Sequence, residues 1–284
     1  MPLILLILGA WLIPVVTIRA ASDESDPLPL GPVLKDASLD GDVADTTVAS
    51  NLTARQIMDN VLARFPREPL VIEGDLVVRR PRGTVTEDLK FQMHVNWGED
   101  PARAAYILLD GESRLLEAMA ITRASGQPPR MSYSAGNPPK PAALPDLYAP
   151  IRGTDMSWMD LTLGFLWWPG GTILGKEVIL GYTCYMVELS APAETGGGAG
   201  ARSAAAYGKV KLWVEAKMLV LLQAEGYDSE GKAVRRLWVK SCKKINDRWM
   251  IKDMDIESYP TVHRTRLNVR DVNPSARAAE KPAS

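Results

Sequence analysis

The chain has 284 residues, a formal net charge of −1 and an apolar content of 46%. This length fits one large domain or two small ones, and the apolar fraction is that of an ordinary globular protein. A nucleic-acid-binding protein needs a concentrated basic surface, which this charge balance does not provide, so no nucleic-acid partner is expected.

The N-terminus carries an unbroken apolar run over residues 3–18, followed by Arg19 and the small residues Ala20 and Ala21. The run is short for a membrane span and ends as a secretory signal does. We therefore predict a signal peptide over residues 1–21 and a periplasmic location. No Lys or Arg precedes the run, so an uncleaved membrane anchor stays open as the alternative. No cysteine precedes Cys184, so the protein is not expected to be a lipoprotein itself.

Two segments of the chain are poor in residues that could build a core. Residues 22–50 contain three prolines and seven acidic residues against a single basic one, which predicts a disordered acidic leader. Residues 274–284 are polar and are predicted to be a disordered tail. The folded domain is therefore expected to span residues 51–273.

The first helix has the clearest local signal. Thr53 and Gln56 have the spacing of a capping box, in which each side chain bonds the backbone N–H of the other residue. Apolar residues then recur at helical spacing until Pro66, which predicts a helix that ends near Phe65.

Most of the remaining chain alternates apolar and polar residues between short turns, which is typical of antiparallel strands. A Pro-rich loop is expected over residues 127–150, and a mobile Gly-rich loop over residues 191–206. The pattern predicts an α+β fold, in which a strongly curved antiparallel sheet (a half-barrel of about eleven strands) wraps around two or so helices. The expected strands cover residues 70–80, 85–97, 102–110, 113–123, 173–180, 182–190, 208–215, 219–227, 233–243, 248–258 and 262–272.

The most apolar and aromatic internal stretch is residues 151–171. Within it, Thr154, Asp155 and Ser157 are candidate N-cap residues, Asp160 would favour a helix N-terminus, and Pro169 ends the pattern, so we predict a helix. Almost no polar residue follows Asp160. Such a helix is either buried in the core or lines a cavity that takes up an apolar ligand.

The search for catalytic chemistry finds little. The two histidines, His94 and His263, have no Cys or carboxylate partner at metal spacing, and no nucleophile or metal-binding motif occurs. No enzyme, cofactor or metal is therefore predicted, with a hydrolytic enzyme as a remote alternative.

One acidic row is the best candidate for such chemistry: Asp253, Asp255 and Glu257 share one face of a strand. Arg264, Arg266 and Arg270 alternate with the same period on the next strand. We expect Glu257 opposite Arg264 and Asp255 opposite Arg266, as a salt-bridged outer face. Met254, Ile256, Thr265 and Leu267 would then point inward.

Cys184 and Cys242 are the two cysteines. The expected strands place them three steps apart in the sheet, which at ~4.8 Å a step is roughly 14 Å. A disulfide requires Cα atoms within about 7 Å. Two separate buried thiols are therefore expected, unless the sheet curls sharply enough to bring them together.

Three blocks of sequence resemble the outer-membrane lipoprotein-sorting proteins, the LolA-like periplasmic family. They are GTDMSWMDL at residues 153–161; GYTCYMVEL at 181–189 with KLWV at 211–214 and GYDSEGK at 226–232; and WMIKDMDIE at 249–257 with HRTRL at 263–267. The resemblance covers residues 51–273. It implies an eleven-stranded half-barrel closed by a helical lid, a hydrophobic cavity, and transfer of acylated proteins across the periplasm.

We therefore expect a periplasmic binding or carrier protein for lipoproteins or other acylated molecules. Its partners would be an acylated protein or lipid cargo, with inner- and outer-membrane envelope proteins as further candidates. The alternative is an envelope sensory or structural module of the same fold that binds another protein, with a filled core and an exposed patch. The residues expected at the cavity mouth or lid are Trp158, Leu161, Phe165, Leu166, Trp167 and Trp168.

Overall fold

The structure, a computed structural model, describes residues 52–79, 85–192, 206–245, 248–260 and 263–275. The predicted signal peptide, the acidic leader and the glycine run of the loop at 191–206 lie outside these residues. Those predictions stay as they were made.

One antiparallel sheet contains all the strands that the structure describes. The strands are β1 (Leu70–Arg79), β2 (Val85–Asn96), β3 (Ala102–Leu109), β4 (Leu115–Arg123), β5 (Arg130–Ala135), β6 (Lys140–Ala142), β7 (Thr172–Ile179), β8 (Tyr182–Ser190), β9 (Lys209–Glu215), β10 (Leu221–Tyr227), β11 (Ala233–Ile245), β12 (Arg248–Ser258) and β13 (Arg264–Pro274). Their order across the sheet is β6-β5-β4-β3-β2-β1-β13-β12-β11-β10-β9-β8-β7. Two meanders therefore meet where β1 pairs with β13, and β6 and β7 are the edge strands.

The predicted fold class, an open antiparallel half-barrel, is confirmed, but thirteen strands are described rather than about eleven. The two additional strands, β5 and β6, lie in the stretch that was expected to be a Pro-rich loop. Pro138 and Pro139 occupy the turn between them, and Pro141 lies on the outermost strand. Prolines within sheets are found mainly on edge strands, where one side of the strand makes no ladder hydrogen bonds.

The first helix, α1 (Ala54–Ala63), begins with the predicted capping box. The backbone N–H of Gln56 donates to Thr53 Oγ1 at 3.2 Å, and the N–H of Thr53 donates to Gln56 Oε1 at 2.8 Å. The apolar face of α1 is buried in the main core through Ala54, Ile57, Met58 and Val61.

The prediction of one continuous helix within residues 151–171, from an N-cap at Thr154, Asp155 or Ser157 to Pro169, is wrong. The segment contains one short helix, α2 (Trp158–Leu161), and a 3-10 helix (Gly164–Trp167). Ser157 is the N-cap of α2, and Asp160 completes a capping box with it. The helix ends because Leu163 has a left-handed backbone (φ +49°), a conformation that interrupts a right-handed helix.

A single large core fills the concave side of the sheet. The inward direction of Met254, Ile256, Thr265 and Leu267 is confirmed. Met254, Ile256 and Leu267 belong to this core, and the buried Thr265 hydroxyl donates a hydrogen bond to Asp155, in the segment between β6 and β7. Cys184 on β8 and Cys242 on β11 are free and buried, three strands apart, as expected. Burial raises the pKa of both thiols to about 11.

Candidate functional site

The concave face of the sheet is covered by the segment between β6 and β7. We call residues 147–168 the plug. Of the six residues expected at a mouth or lid, Trp158, Leu161, Phe165, Leu166 and Trp168 are each at most 4% exposed, while Trp167 is partly exposed. The plug is therefore seated on the sheet, and the first five of these residues belong to the main core. Their role at a cavity mouth or lid stays a prediction.

Asp160 in α2 is the centre of a buried polar cluster beneath the plug. Its Oδ2 accepts hydrogen bonds from the Ser157 backbone N–H at 2.9 Å and from Arg235 Nη1 at 2.8 Å. Its Oδ1 accepts from the Tyr207 hydroxyl at 2.5 Å. Every oxygen of this buried carboxylate thus has a donor, which offsets the free energy of removing it from water.

Arg235 reaches Asp160 from β11. The side chain points inward because Arg235 alternates with Leu237 and Val239, which are both buried. Nη2 also donates to the Tyr148 backbone oxygen at 3.3 Å, so one guanidinium holds two parts of the plug. Burial alone would lower the pKa of Arg235, but Asp160 and Tyr207 outweigh it and raise that pKa. We call Asp160, Arg235 and Tyr207 the latch.

A second anchor joins the plug to β12 and β13. The Asp155 backbone N–H donates to Thr265 Oγ1 at 2.7 Å, and the Thr265 hydroxyl donates to Asp155 Oδ2 at 3.0 Å. Ser258 Oγ donates to the Asp155 backbone oxygen at 3.2 Å. Burial raises the pKa of Asp155, although the Thr265 hydrogen bond, His263 and Arg235 oppose this.

A third anchor joins the plug to β4 and β5. Glu117 is 6% exposed and accepts hydrogen bonds from Arg152 Nε and from the Tyr133 hydroxyl, both at 2.6 Å. The Tyr133 ring also contacts the edge of the Trp158 ring, with centroids 6.1 Å apart. Polar and aromatic contacts therefore hold the plug on both halves of the sheet.

A small cavity lies beside the latch. Its volume is about 10 Å³, and Asp160, Phe165, Tyr207 and Arg235 are among its lining residues. This volume holds about one water molecule. An acyl chain does not fit there while the plug is seated.

Trp167 lies apart from the other five predicted residues, at the rim of the sheet. Its ring centroid is 5.4 Å from that of Trp97 and 6.1 Å from that of Phe65, and the Arg123 guanidinium lies 4.2 Å above it. These side chains come from the ends of α1, β2, β4 and the plug. The cluster therefore fixes the end of the plug to the rim.

The predicted register between the acidic and basic rows is confirmed: Asp255 pairs with Arg266 and Glu257 with Arg264. Asp255 is fully buried within this salt-bridged face. Arg266 covers it with two hydrogen bonds, of 2.6 and 3.0 Å. Arg270 pairs instead with Asp75 on β1.

Within the described ranges, no group of His, Cys, Asp and Glu side chains could hold a metal ion. His94 lies on a strand, and burial lowers its pKa. Also within those ranges, no helix has both the length and the apolar character needed to span a bilayer. The absence of catalysis stays a prediction.

The contacts among the three latch residues were not predicted from the sequence. One signal was available: Arg235 occupies an inward position of an alternating strand, where a charged residue requires a buried partner. Tyr207 lies outside any periodic pattern and gave no signal.

A family model described as an uncharacterized protein matches residues 142–281. No curated protein matches the sequence. A DUF1329 family protein from Desulfovibrio piger superposes with a TM-score of 0.61 at 17% identity, over 80% of this chain and 95% of that chain.

Two further solved structures identify the architecture. An outer membrane lipoprotein-sorting protein domain from Vibrio parahaemolyticus has a TM-score of 0.61 at 15% identity, over 78% of this chain and 94% of that chain. A LolA superfamily protein from Nitrosomonas europaea has a TM-score of 0.57 at 16% identity, over 79% and 94%. The chain has the LolA-like fold. At these identities the likeness shows the fold alone. The resemblance read from the sequence is thus confirmed at that level, and in this LolA-like fold the plug occupies the concave side of the sheet.

Proposed function

We propose that this protein binds acylated proteins or other acylated molecules in the periplasm, on the concave face of its sheet, after the plug moves away. One observation carries the proposal. The concave face is apolar along most of the sheet, and a segment with only two short helices covers it, fixed by a few polar anchors. The description of the Vibrio parahaemolyticus structure, which refers to lipoprotein sorting, supports the same class of ligand.

The energetics fit an acyl ligand. Displacing the plug exposes inward-facing side chains of β8 to β13, such as Val187, Leu212 and Ile256, which are buried in the structure. An acyl chain laid on this surface gains about 0.8 kcal/mol for each CH₂ that it buries. The cavity of about 10 Å³ beside the latch cannot hold such a chain, and we therefore place the ligand on the face that the plug covers. The residues proposed to contact the ligand or to move with the plug remain Trp158, Leu161, Phe165, Leu166, Trp167 and Trp168.

The latch would set how readily the plug opens. A ligand that binds only the open state has an apparent affinity reduced by the fraction of molecules that are open. A weakened latch raises that fraction and therefore tightens acyl binding. This dependence distinguishes a gated binding site from nonspecific adsorption to the surface.

The experiment compares two tyrosine variants with the wild type. Tyr207→Phe removes a hydrogen bond to Asp160, and the control Tyr227→Phe removes the equivalent bond to Glu225, at 2.6 Å, outside the plug. A hydrogen bond to a charged group contributes about 1.5 kcal/mol or more, so Tyr207→Phe should tighten binding of a palmitoylated peptide about tenfold. Tyr227→Phe should leave it unchanged.

Binding is measured by the rise in melting temperature with added peptide, because a ligand that binds only the folded protein stabilises it. The unacylated peptide is the ligand control. If the palmitoylated peptide stabilises none of the three proteins, acyl binding is wrong. If it stabilises all three equally, binding does not involve the plug.

The second candidate function is a sensory or structural module that binds another envelope protein. The filled concave side favours it, since a protein-binding module of this fold needs no cavity. This candidate predicts no change in melting temperature with any acylated ligand. The same titration therefore separates the two functions.

A further inference from the structure

The two edges of the sheet are built differently. The edge strand β6 has three residues, one of them Pro141, and it follows Pro138 and Pro139. Prolines and short length protect an edge from pairing with other strands. The opposite edge, β7, has eight residues and no proline. Among the described residues, no strand pairs with its outer side.

The β7 edge also carries exposed apolar side chains. Five large apolar residues are exposed in the described part of the chain, and three of them lie in β7 or in the turn after it. Leu174 is 43% exposed, Val178 is 65% exposed and Leu180 is 54% exposed. Clustering of this kind at one place on a surface marks a contact with a partner.

One face of β7 presents a cation next to an apolar residue. Lys176 pairs with Tyr185 and Val178 with Thr183 on β8, so Lys176 and Val178 share a face. Lys176 Nζ lies 4.8 Å from the Tyr185 ring centroid, and none of the described carboxylates forms an ion pair with it. On the other face, Glu177 is already bound by Trp213 Nε1 at 2.8 Å.

This pattern disfavours a second copy of the chain. A twofold antiparallel pair centred on Lys176 would place Lys176 opposite itself, and a pair centred on Glu177 would oppose two carboxylates. A centre at Gly175 would set Lys176 against an apolar residue and would coincide with the bulge between Ile173 and Gly175. In each of these three registers, a charged side chain of β7 faces either a like charge or a residue without the opposite charge. The edge is suited to a strand with a different sequence.

We propose that β7 is a strand-addition site for an extended segment of another protein. The segment would run antiparallel to β7, with an acidic residue opposite Lys176 and an apolar residue, two positions earlier, opposite Val178. Main-chain hydrogen bonds supply the affinity of such additions, and side-chain matches supply the specificity. The site is separate from the plug and does not depend on acyl binding.

The test uses two probe peptides on the whole chain, TTVTETT and TTVTKTT, which differ only at the residue that would face Lys176. Opposite charges across a strand pair are favourable and like charges are not, so the wild type should prefer the acidic peptide on the order of threefold to tenfold. Lys176→Glu should reverse the preference. The control is Lys140→Glu on β6, which is also an exposed edge lysine and should leave the preference unchanged.

Hydrogen exchange of the β7 amides locates the binding, since these amides should gain protection only when peptide is present. The proposal is overturned if neither peptide binds at millimolar concentration, or if Lys176→Glu leaves the preference unaltered. Protection of β7 in the free monomer would show that the chain itself covers the edge. Dimers in sedimentation experiments, with β7 protected, would show that a second copy does. Failure here leaves the tyrosine comparison on acyl binding unaffected.

Discussion

Arg235 Nη1 and Asp160 Oδ2 lie 2.8 Å apart in the core, although 75 positions of sequence separate the two residues. Both side chains are at most 5% exposed. The pair joins the plug to β11, and its charges are compensated by each other, by Tyr207 and by the Tyr148 backbone oxygen. Removing one partner would leave the other as a buried charge without its counter-ion.

We expect Arg235→Met and Asp160→Asn each to lower the free energy of unfolding by about 3 kcal/mol or more, because each leaves an uncompensated buried group. The double variant should lose less than the sum of the single losses. Urea denaturation measures these values. Arg236→Met, at the neighbouring and partly exposed position, is the control and should lose less than about 1 kcal/mol. Additive losses would mean that the two side chains are not coupled.

The pH dependence of stability should report on Asp155. Burial raises its pKa in the folded state, so the folded protein keeps this proton at pH values where the unfolded chain has lost it. The free energy of unfolding should therefore fall as the pH rises from the ordinary carboxyl pKa to the raised one. Below the ordinary pKa, the full contribution of the protonated Asp155 is present. Asp155→Asn keeps an acceptor oxygen for Thr265 and should flatten this dependence, as measured by urea unfolding between pH 4 and pH 7.

Asp110→Asn should change the stability at neutral pH in the opposite direction from Asp155→Asn. Hydrogen bonds from the backbone and side chain of Arg114 lower the pKa of Asp110. Its ionised form therefore favours the folded state, and its replacement should remove stability at neutral pH rather than add it. An unchanged pH profile in Asp155→Asn would show that Asp155 does not titrate differently in the two states.

The two arginines beside Asp255 should differ in their contributions. Arg266 forms two hydrogen bonds to this fully buried carboxylate, whereas Arg264 lies 3.5 Å from it and is 42% exposed. Arg266→Met should lower the free energy of unfolding by about 3 kcal/mol. Arg264→Met should lower it by less than about 1 kcal/mol. Equal losses in thermal or urea unfolding would contradict this assignment.

Two tryptophans of the plug should also differ in how much each contributes to the free energy of unfolding. Trp158 is 2% exposed in the core, and Trp158→Ala should lower the free energy of unfolding by about 3 to 5 kcal/mol through the cavity that it leaves. Trp167 is partly exposed at the rim, where ring contacts contribute about 1 kcal/mol each. Trp167→Ala should therefore lose roughly half as much. Urea unfolding followed by circular dichroism measures both, and a larger loss for Trp167→Ala would contradict this ranking.

The sequence predicted the features that depend on neighbouring residues. The capping box of Thr53 and Gln56 and the alternation of the strands are local patterns. The pairing of Asp255 with Arg266 also follows from local information, because the two strands form a hairpin whose short turn fixes the register. Each of these three features is present in the structure.

Features that depend on distant parts of the chain were not predicted. The continuous helix predicted within residues 151–171 is interrupted at Leu163, which adopts a left-handed backbone and packs against the main core. The hydrogen bond of the Asp155 backbone N–H to Thr265 spans 110 positions. Local propensity carries no information about such contacts, so the sequence indicated that the plug is buried but not how it is held.

The pairing of β1 with β13 limits the order in which the sheet can fold. The first and last strands lie side by side in the middle of the sheet, with Leu70 opposite Pro274 and Arg79 opposite Arg264. The two meanders can each form as they are synthesised, but the seam between them cannot close until the final strand has been made. A chain that stops before residue 264 would lack β13 and keep the other twelve described strands. Both β1 and β12 would then have one side without a partner strand, and for that reason we expect this chain to aggregate rather than fold.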